Sequence, residues 1–106
     1  MSIRKELSLL GLAAKAGKVV SGEFATENAV KSGKAFLVLT AEDASNNTRK
    51  KFNDMCTYYE VPLYTIGSKE KLGTAIGKDY RASLGVTDEN FAVAMVKKLE
   101  NMRHQD

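Results

Sequence analysis

The chain has 106 residues, of which 43% are hydrophobic and 27% charged, with a single proline. This size and composition exclude a disordered or fibrous protein and predict one soluble domain spanning residues 1–106. The formal charge of +3 allows an anionic partner without requiring one. Cys56 is the single cysteine and the chain has one histidine, which excludes an internal disulfide and a Cys/His metal cage.

No segment reaches the roughly 18 apolar residues of a membrane span. The N-terminal segment also lacks the uninterrupted apolar core of a signal peptide. We therefore expect a cytoplasmic protein that makes no membrane contact.

The first predicted helix has one apolar face. Its apolar residues recur at spacings of four, three and four, at Ile3, Leu7, Leu10 and Ala14. Ser2 is the expected N-cap, and Gly17 the expected end of the helix. Lys18–Ser21 then predicts a short strand.

A second predicted helix follows Gly22 and ends at Gly33, because Phe24, Ala25, Ala29 and Val30 have helical spacing. The next segment, residues 35–40, is five apolar residues and a threonine without alternation. Such a run between helix breakers is typical of a central strand covered on both faces.

The third predicted helix has its apolar stripe at Phe52, Met55, Cys56 and Tyr59, with basic residues 49–51 on the solvent side. Cys56 belongs to this stripe, so we expect it in the core rather than acting as a nucleophile. A strand is predicted over residues 61–66, with Pro62 near its start.

The last third predicts a short helix capped by Ser68 and stopped by Gly77, a strand over residues 80–86, and a final helix opened by Asp88. One side of that helix is expected to carry Phe91, Ala94, Met95, Lys98 and Met102. The order is thus α-β-α-β-α-β-α-β-α, which predicts an α/β fold with a mixed or mainly parallel sheet between helices. Ligands of such folds bind where strands end and helices begin.

No enzyme motif is found. Gly17 and Gly22 have the spacing of a phosphate loop, but Glu23 stands where that motif needs lysine, and no Gly-x-Gly occurs. Glu42 and Asp43 allow two interpretations: a divalent-cation site, or turn and cap chemistry at the next helix. We expect no cofactor.

Gly22 also allows two interpretations. A glycine before a helix leaves bare N–H groups that bind phosphate, and Lys18, Lys31 and Lys34 would surround it with positive charge. Alternatively, Gly22 only permits a sharp turn between strand and helix.

Several strings in the chain, taken together, resemble one family. They are Gly22 followed after eleven positions by Gly33, then KAFLVLTAED (34–43), YEVP (59–62) and SKEKLGTAIG (68–77). Over residues 5–100 the chain is similar to the kink-turn RNA-binding ribosomal proteins of the archaeal and eukaryotic large subunit, and most similar to their bacterial YlxQ-like branch. The resemblance implies a three-layer α-β-α sandwich around a four-stranded mixed sheet.

The resemblance also implies an RNA surface made from three segments, residues 22–31, 40–43 and 77–83. With the basic residues around them, the candidate RNA-binding residues are Lys18, Gly22, Glu23, Phe24, Ala25, Asn28, Lys31, Lys34, Glu42, Asp43, Lys78, Tyr80 and Arg81. Tyr80 is expected either to stack on a nucleotide or to pack, as a strand-edge aromatic, on the last helix.

The chain departs from the family's pattern at the start of the second helix. Ribosomal members follow the glycine with an Asn-Glu pair and, a turn later, a lysine; here Phe24, Ala25 and Asn28 stand at those positions. Phe24 can stack on a base, but neither it nor Ala25 can hydrogen-bond through its side chain. Glu23 and Glu27 add negative charge where phosphate would bind. We therefore expect the chain to bind the phosphate groups of RNA but not to recognise its bases through hydrogen bonds.

The sequence favours two hypotheses for the function and allows a weaker third. The first is a non-catalytic, monomeric, cytoplasmic RNA-binding protein whose partner is structured RNA, ribosomal or kink-turn-like. The alternative is a protein-interaction module of the translation or RNA-processing machinery, possessing this fold but no longer able to recognise a kink-turn. Phe24 beside Ala25 would suit it as an exposed apolar contact. A third and poorer idea is a small enzyme that uses Glu42 and Asp43 with a divalent cation.

Overall fold

The structure, a computed structural model, describes the backbone of residues 3–103 and the side chains of residues 3–101. Within this range helices and strands alternate in the predicted order. They are α1 (Arg4–Lys15), β1 (Val19–Ser21), α2 (Glu23–Lys31), β2 (Leu37–Thr40), α3 (Asn46–Tyr59), β3 (Leu63–Thr65), α4 (Lys69–Ala75), β4 (Ser83–Val86) and α5 (Glu89–Arg103). No helix in the described range is long and apolar enough to cross a bilayer.

The four strands form one mixed sheet in the order β1-β4-β2-β3. Strand β4 pairs antiparallel with β1 and β2, while β2 pairs parallel with β3. Helices α1, α4 and α5 pack together on one face of the sheet, and α2 packs with α3 on the other. The expected three-layer α-β-α sandwich is confirmed.

Strand β2 explains why the sandwich has two cores. All four of its residues are buried. Leu37 and Leu39 join the core under α1, α4 and α5, whereas Val38 joins the core under α2 and α3 with Phe52. Alternate residues of a strand point to opposite faces, so an unbroken apolar run is what a doubly covered strand requires. The predicted central strand is confirmed, although it begins at Leu37 rather than Ala35.

Strand β4 is shorter than predicted, because residues 77–82 form a loop held against α4. The backbone N–H of Arg81 donates to the carbonyl of Lys69 at 3.0 Å, and that of Lys78 donates to the carbonyl of Gly73 at 2.8 Å. Tyr80 lies in this loop and is 67% exposed. The prediction that Tyr80 is a strand-edge aromatic packed on the last helix is therefore wrong.

Helix α3 is longer than its apolar stripe predicts, because Ser45 caps it. The Oγ of Ser45 accepts a hydrogen bond from the N–H of Thr48 at 3.1 Å. Phe52 and Cys56 are buried as predicted, but Tyr59 is exposed. Burial also raises the pKa of the Cys56 thiol to about 11, which agrees with its predicted core role.

The buried face of α5 differs from the predicted one. It is formed by Ala92, Met95 and Leu99, whereas Lys98 is only half-buried. The sequence pattern placed this face about one residue off because Phe91 and Ala94 are also apolar. Two further predictions, the Ser2 cap and the packing of Met102, lie outside the described residues and side chains.

The loops gather at the two ends of the strands, which we call the upper and the lower edge of the sheet. At the upper edge, β1, β2 and β3 end and β4 begins. Three backbone hydrogen bonds join the loops there: Gly22 N–H to Ser83 C=O at 3.0 Å, Ala41 N–H to Ala82 C=O at 2.9 Å, and Glu42 N–H to Gly67 C=O at 2.7 Å. The fold thus brings the three segments implied by the resemblance to one edge. The opposite edge is the lower edge.

Candidate functional site

Gly22 sits at the upper edge, where β1 turns into α2. Its φ of 94° and ψ of 159° are open to glycine and strained for other residues. A Cβ built on Gly22 would meet no atom within 4 Å. The backbone conformation alone therefore accounts for the glycine, and the turn also leaves open space in front of the helix.

The N-terminus of α2, like that of α1, has no side-chain cap, whereas α3, α4 and α5 each have one. Ser45 caps α3, Ser68 caps α4 through the N–H of Lys71, and Asp88 accepts from the N–H of Phe91 in α5. Gly22 makes no side-chain cap bond to α2. The first N–H groups of a helix carry its positive dipole end, so an anion can bind at this uncapped end.

Arg81 links the loop before β4 to this helix opening. Its Nε donates to the Oγ of Ser21, the residue before Gly22, at 3.1 Å, and its Nη1 donates to the carbonyl of Tyr80 at 2.9 Å. Lys78 and Tyr80 are exposed in the same loop. The upper edge therefore combines a helix N-terminus, a positioned guanidinium, a lysine and an exposed aromatic ring.

The carboxylates that follow β2 are partly structural. The Oδ1 of Asp43 accepts a hydrogen bond at 2.8 Å from the N–H of Lys69, the first residue of α4. This agrees with the cap interpretation, but the helix capped is α4 rather than α3. Glu42 is exposed beside it. Among the described side chains, no group of three or more His, Cys, Asp or Glu is arranged to hold a metal ion.

Glu23 and Glu27 face α3, where Lys51 binds both. The Nζ of Lys51 lies 3.1 Å from Glu23 and 2.6 Å from Glu27, and Lys31 adds a second partner for Glu27 at 2.7 Å. These carboxylates raise the pKa of Lys51. The negative charge expected to oppose phosphate is thus largely neutralised within the chain, by a lysine that the sequence placed only on the solvent side of its helix.

We expect the ion pairs of Glu27 to make stability sensitive to acid. Hydrogen bonds from Lys31 and Lys51 lower the pKa of Glu27 from 4.5 to about 2. Because the folded-state pKa is the lower one, the stabilisation is complete above about pH 4.5 and is lost as the pH falls toward 2. The difference in urea midpoint between the wild type and Glu27→Gln should therefore be largest near neutral pH and shrink across that window.

The control for this prediction is Asp54→Asn, which removes the carboxylate of an ion pair with a single lysine, Lys50. The Asp54 side chain is 62% exposed, against 21% for Glu27. Its effect on the urea midpoint should be smaller, since solvent screens exposed pairs. A wild type and a Glu27→Gln variant that differ by the same amount at every pH would contradict the prediction.

A shallow groove of about 640 Å³ runs along the outer side of α2 beside β1. Phe24 stands at its upper end with 77% of its surface exposed. The other lining residues are Val20, Ala25, Asn28, Ala29, Lys31, Ser32 and Lys34. The structure thus brings five of the predicted site residues, Phe24, Ala25, Asn28, Lys31 and Lys34, to one groove, which no glutamate lines.

The three lysines predicted to surround Gly22, namely Lys18, Lys31 and Lys34, do not do so. Lys31 is the last residue of α2, roughly 13 Å from Gly22 along the helix axis. Lys18 precedes β1 at the lower edge, four positions before Gly22 along an extended chain, a distance of roughly 13 Å. Lys34 lies before β2, also toward the lower edge. The positive charge near Gly22 comes instead from Arg81, because the charge of Lys51 is paired with the two glutamates of α2. The prediction for Lys18 was wrong because β1 is extended, so residues that are close to Gly22 in the sequence lie at the opposite end of the strand.

Comparison with known proteins identifies the family to which this arrangement belongs. Residues 4–96 match the Ribosomal protein L7Ae/L30e/S12e/Gadd45 family. The chain belongs to this family. The five helices and the four-stranded mixed sheet of the described residues agree with this membership.

Three relatives show how widely the L7Ae/L30e-type fold is shared. The chain is 45% identical over 100 residues to the RNA-binding protein YlxQ of Bacillus subtilis, covering 94% of this chain and 100% of that one. It is 30% identical to the large ribosomal subunit protein eL30 of Methanosphaera stadtmanae, over 74% of this chain and 81% of that one. The 15.5kD RNA binding protein of Giardia lamblia superposes with a TM-score of 0.81 at 26% identity, covering 94% and 89% of the two chains.

Proposed function

We propose that this chain is a non-catalytic RNA-binding protein that holds structured RNA at its upper edge. The observation that carries the proposal is the uncapped N-terminus of α2 beside Arg81, whose Nε is fixed on Ser21 at 3.1 Å. Backbone N–H groups and a guanidinium are both strong phosphate ligands. The names of the B. subtilis and G. lamblia relatives point to the same class of partner.

Phosphate contacts rather than base-edge contacts dominate in this proposal. Phe24 and Ala25 occupy the first turn of α2 and offer no hydrogen-bonding side chain. Of the polar side chains of that turn, Glu23 is bound to Lys51 and Thr26 is buried. The protein therefore distinguishes RNAs by their shape, such as a kinked or looped stem of ribosomal RNA, more than by their base sequence.

The proposal places the protein in the cytoplasm as a monomer, acting through one RNA-binding domain spanning residues 1–106 without a cofactor. The alternative, a protein-interaction module of the translation or RNA-processing machinery, rests on the exposed ring of Phe24. It makes no use of Arg81 or of the helix opening, so the two functions are separable by mutation.

Binding of a labelled kink-turn RNA and a labelled ribosomal stem-loop, measured by fluorescence anisotropy at several salt concentrations, tests the proposal. We expect affinity to fall steeply with salt, because each phosphate contact releases a counterion. Arg81→Ala should weaken binding of either RNA about tenfold or more, as loss of a hydrogen bond to a charged group does. It should also reduce the salt slope by about one.

The matched control is Lys97→Ala, which removes a positive charge from the exposed side of α5, in the layer opposite α2. Its affinity should stay within about twofold of the wild type, since only nonspecific attraction is lost. No binding of either RNA at about 50 mM salt, where phosphate contacts are strong, would overturn the proposed function. Equal losses for Arg81→Ala and Lys97→Ala would remove the upper edge as the site.

A further inference from the structure

The groove beside α2 combines the two kinds of surface that an unpaired nucleotide needs. Phe24 offers a ring face at the upper end, and it is the most exposed residue of the groove's apolar part. Lys31 and Lys34 stand at the other end. Phe24 and Lys31 are seven residues apart on α2, about 10 Å along the helix axis. An aromatic platform and a cationic end at this separation suit a stacked base and the phosphates that follow it.

The floor and walls of the groove fit the same ligand. Val20, Ala25 and Ala29 provide a small-residue floor, and Asn28 and Ser32 add hydrogen-bonding groups. None of the residues that line the groove is acidic. The two glutamates of α2 bind Lys51, which lies 3.1 Å from Glu23 and 2.6 Å from Glu27. Glu27 also pairs with Lys31 at 2.7 Å, so Lys34 is the lysine of the groove that makes no ion pair among the described residues. The groove therefore favours an anionic ligand with a planar group over a basic or purely apolar protein surface.

We propose that this groove binds a short unpaired RNA segment, with one base stacked on Phe24 and the adjoining phosphates on Lys34 and, in exchange for its exposed ion pair with Glu27, on Lys31. The inference rests on the proposed function, because the groove begins where the helix opening ends. A structured RNA held at the upper edge can extend a single strand down the outer side of α2. Asn28, one helical turn below Phe24, faces the same strand. The groove includes Phe24, Ala25 and Asn28, the three residues that depart from the pattern of the ribosomal members.

The absence of tryptophan from the sequence allows a direct test. Phe24→Trp places a single fluorescent indole on the platform, and Tyr58→Trp places one on α3 at a side chain of matched exposure, 78% against 77%. The probe is an unstructured RNA of about eight nucleotides, within the usual range of single-strand sites. We expect saturable quenching of the indole at position 24 and little change at position 58, because only the first stacks on a base.

Two further measurements complete the test. Lys34→Ala in the Phe24→Trp background should weaken the quenching and reduce its salt dependence. An unpaired extension of about four nucleotides on the structured RNA should raise affinity for the wild type. Phe24→Ala should remove that gain, a loss of about 5- to 150-fold if stacking has its usual strength.

The outcomes separate this inference from the proposed function. If the structured RNA binds but the oligonucleotide neither quenches position 24 nor adds affinity as an extension, the groove proposal is overturned and the upper-edge site stands. Quenching at position 24 without binding of structured RNA would retain the groove and overturn the upper-edge site. Equal quenching at positions 24 and 58, or protection of Phe24 by a protein partner with RNA binding unchanged, also overturns the groove proposal.

Discussion

Gly73→Ala should destabilise the protein and weaken RNA binding together. Gly73 lies in α4, against the loop that carries Lys78, Tyr80 and Arg81. A Cβ at this position would lie 1.5 Å from the carbonyl oxygen of Asp79 and 3.2 Å from that of Lys78. Both atoms are backbone, so a side-chain rotation cannot relieve the overlap, and either α4 or the loop must move.

The size of the effect follows from what has to move. Overpacking costs about 3 kcal/mol at the upper end of its usual range, and the better helix propensity of alanine offsets only about 1 kcal/mol. We therefore expect a loss of about 2 kcal/mol or more in the free energy of unfolding. Displacement of the loop also breaks the alignment of Arg81 with Ser21, so RNA affinity should fall about tenfold or more.

Thr74→Ala is the control for Gly73→Ala. Thr74 is the next residue of α4 and is exposed, so its loss should change the free energy of unfolding by less than about 0.5 kcal/mol and leave affinity unchanged. Urea denaturation and RNA anisotropy, measured on the same preparations, provide both readouts. A Gly73→Ala protein as stable as the wild type, or a destabilised one with full RNA affinity, would contradict the role given to this contact.

The elements of the fold could be predicted because each has a local signal. The unbroken apolar run at residues 35–40 predicts a doubly covered strand, and Ser68 predicts the start of α4; both are confirmed. Boundaries were less accurate where tertiary hydrogen bonds decide them. Nothing in the string Tyr80-Arg81-Ala82 indicates that Arg81 bonds to α4 instead of extending the strand.

The site could be predicted only in part, because its contacts join residues far apart in sequence. The helix opening at Gly22 has a local signature, namely a glycine before a helix. The neutralisation of Glu23 by Lys51 does not, since the two residues are 28 positions apart and meet only when α2 packs on α3. Likewise, Lys18 is four residues from Gly22 in the sequence but at the other end of β1 in space.

Phe52→Ala should cause the largest loss of stability while leaving RNA affinity nearly unchanged. Phe52 is fully buried and packs with Val38 and Cys56 in the core between the sheet and α2–α3. Truncating such a ring removes its burial and leaves a cavity, which typically costs about 3–5 kcal/mol. Domains of this size have about 5–15 kcal/mol of stability in total, so much of the protein should remain folded at low temperature.

Comparison of Phe52→Ala with Gly73→Ala separates loss of stability from loss of the site. Phe52 belongs to α3 and lies in the core between that helix and the sheet. It forms no part of the helix opening or of the loop before β4. Once affinity is expressed per folded molecule, Phe52→Ala should lie within about twofold of the wild type, a shift below the typical error of additivity. Tyr58→Ala, at an exposed aromatic of the same helix, is the control for stability. If Phe52→Ala reduced affinity per folded molecule as much as Gly73→Ala, RNA binding would depend on the packing of α3 as a whole rather than on the geometry of the upper edge.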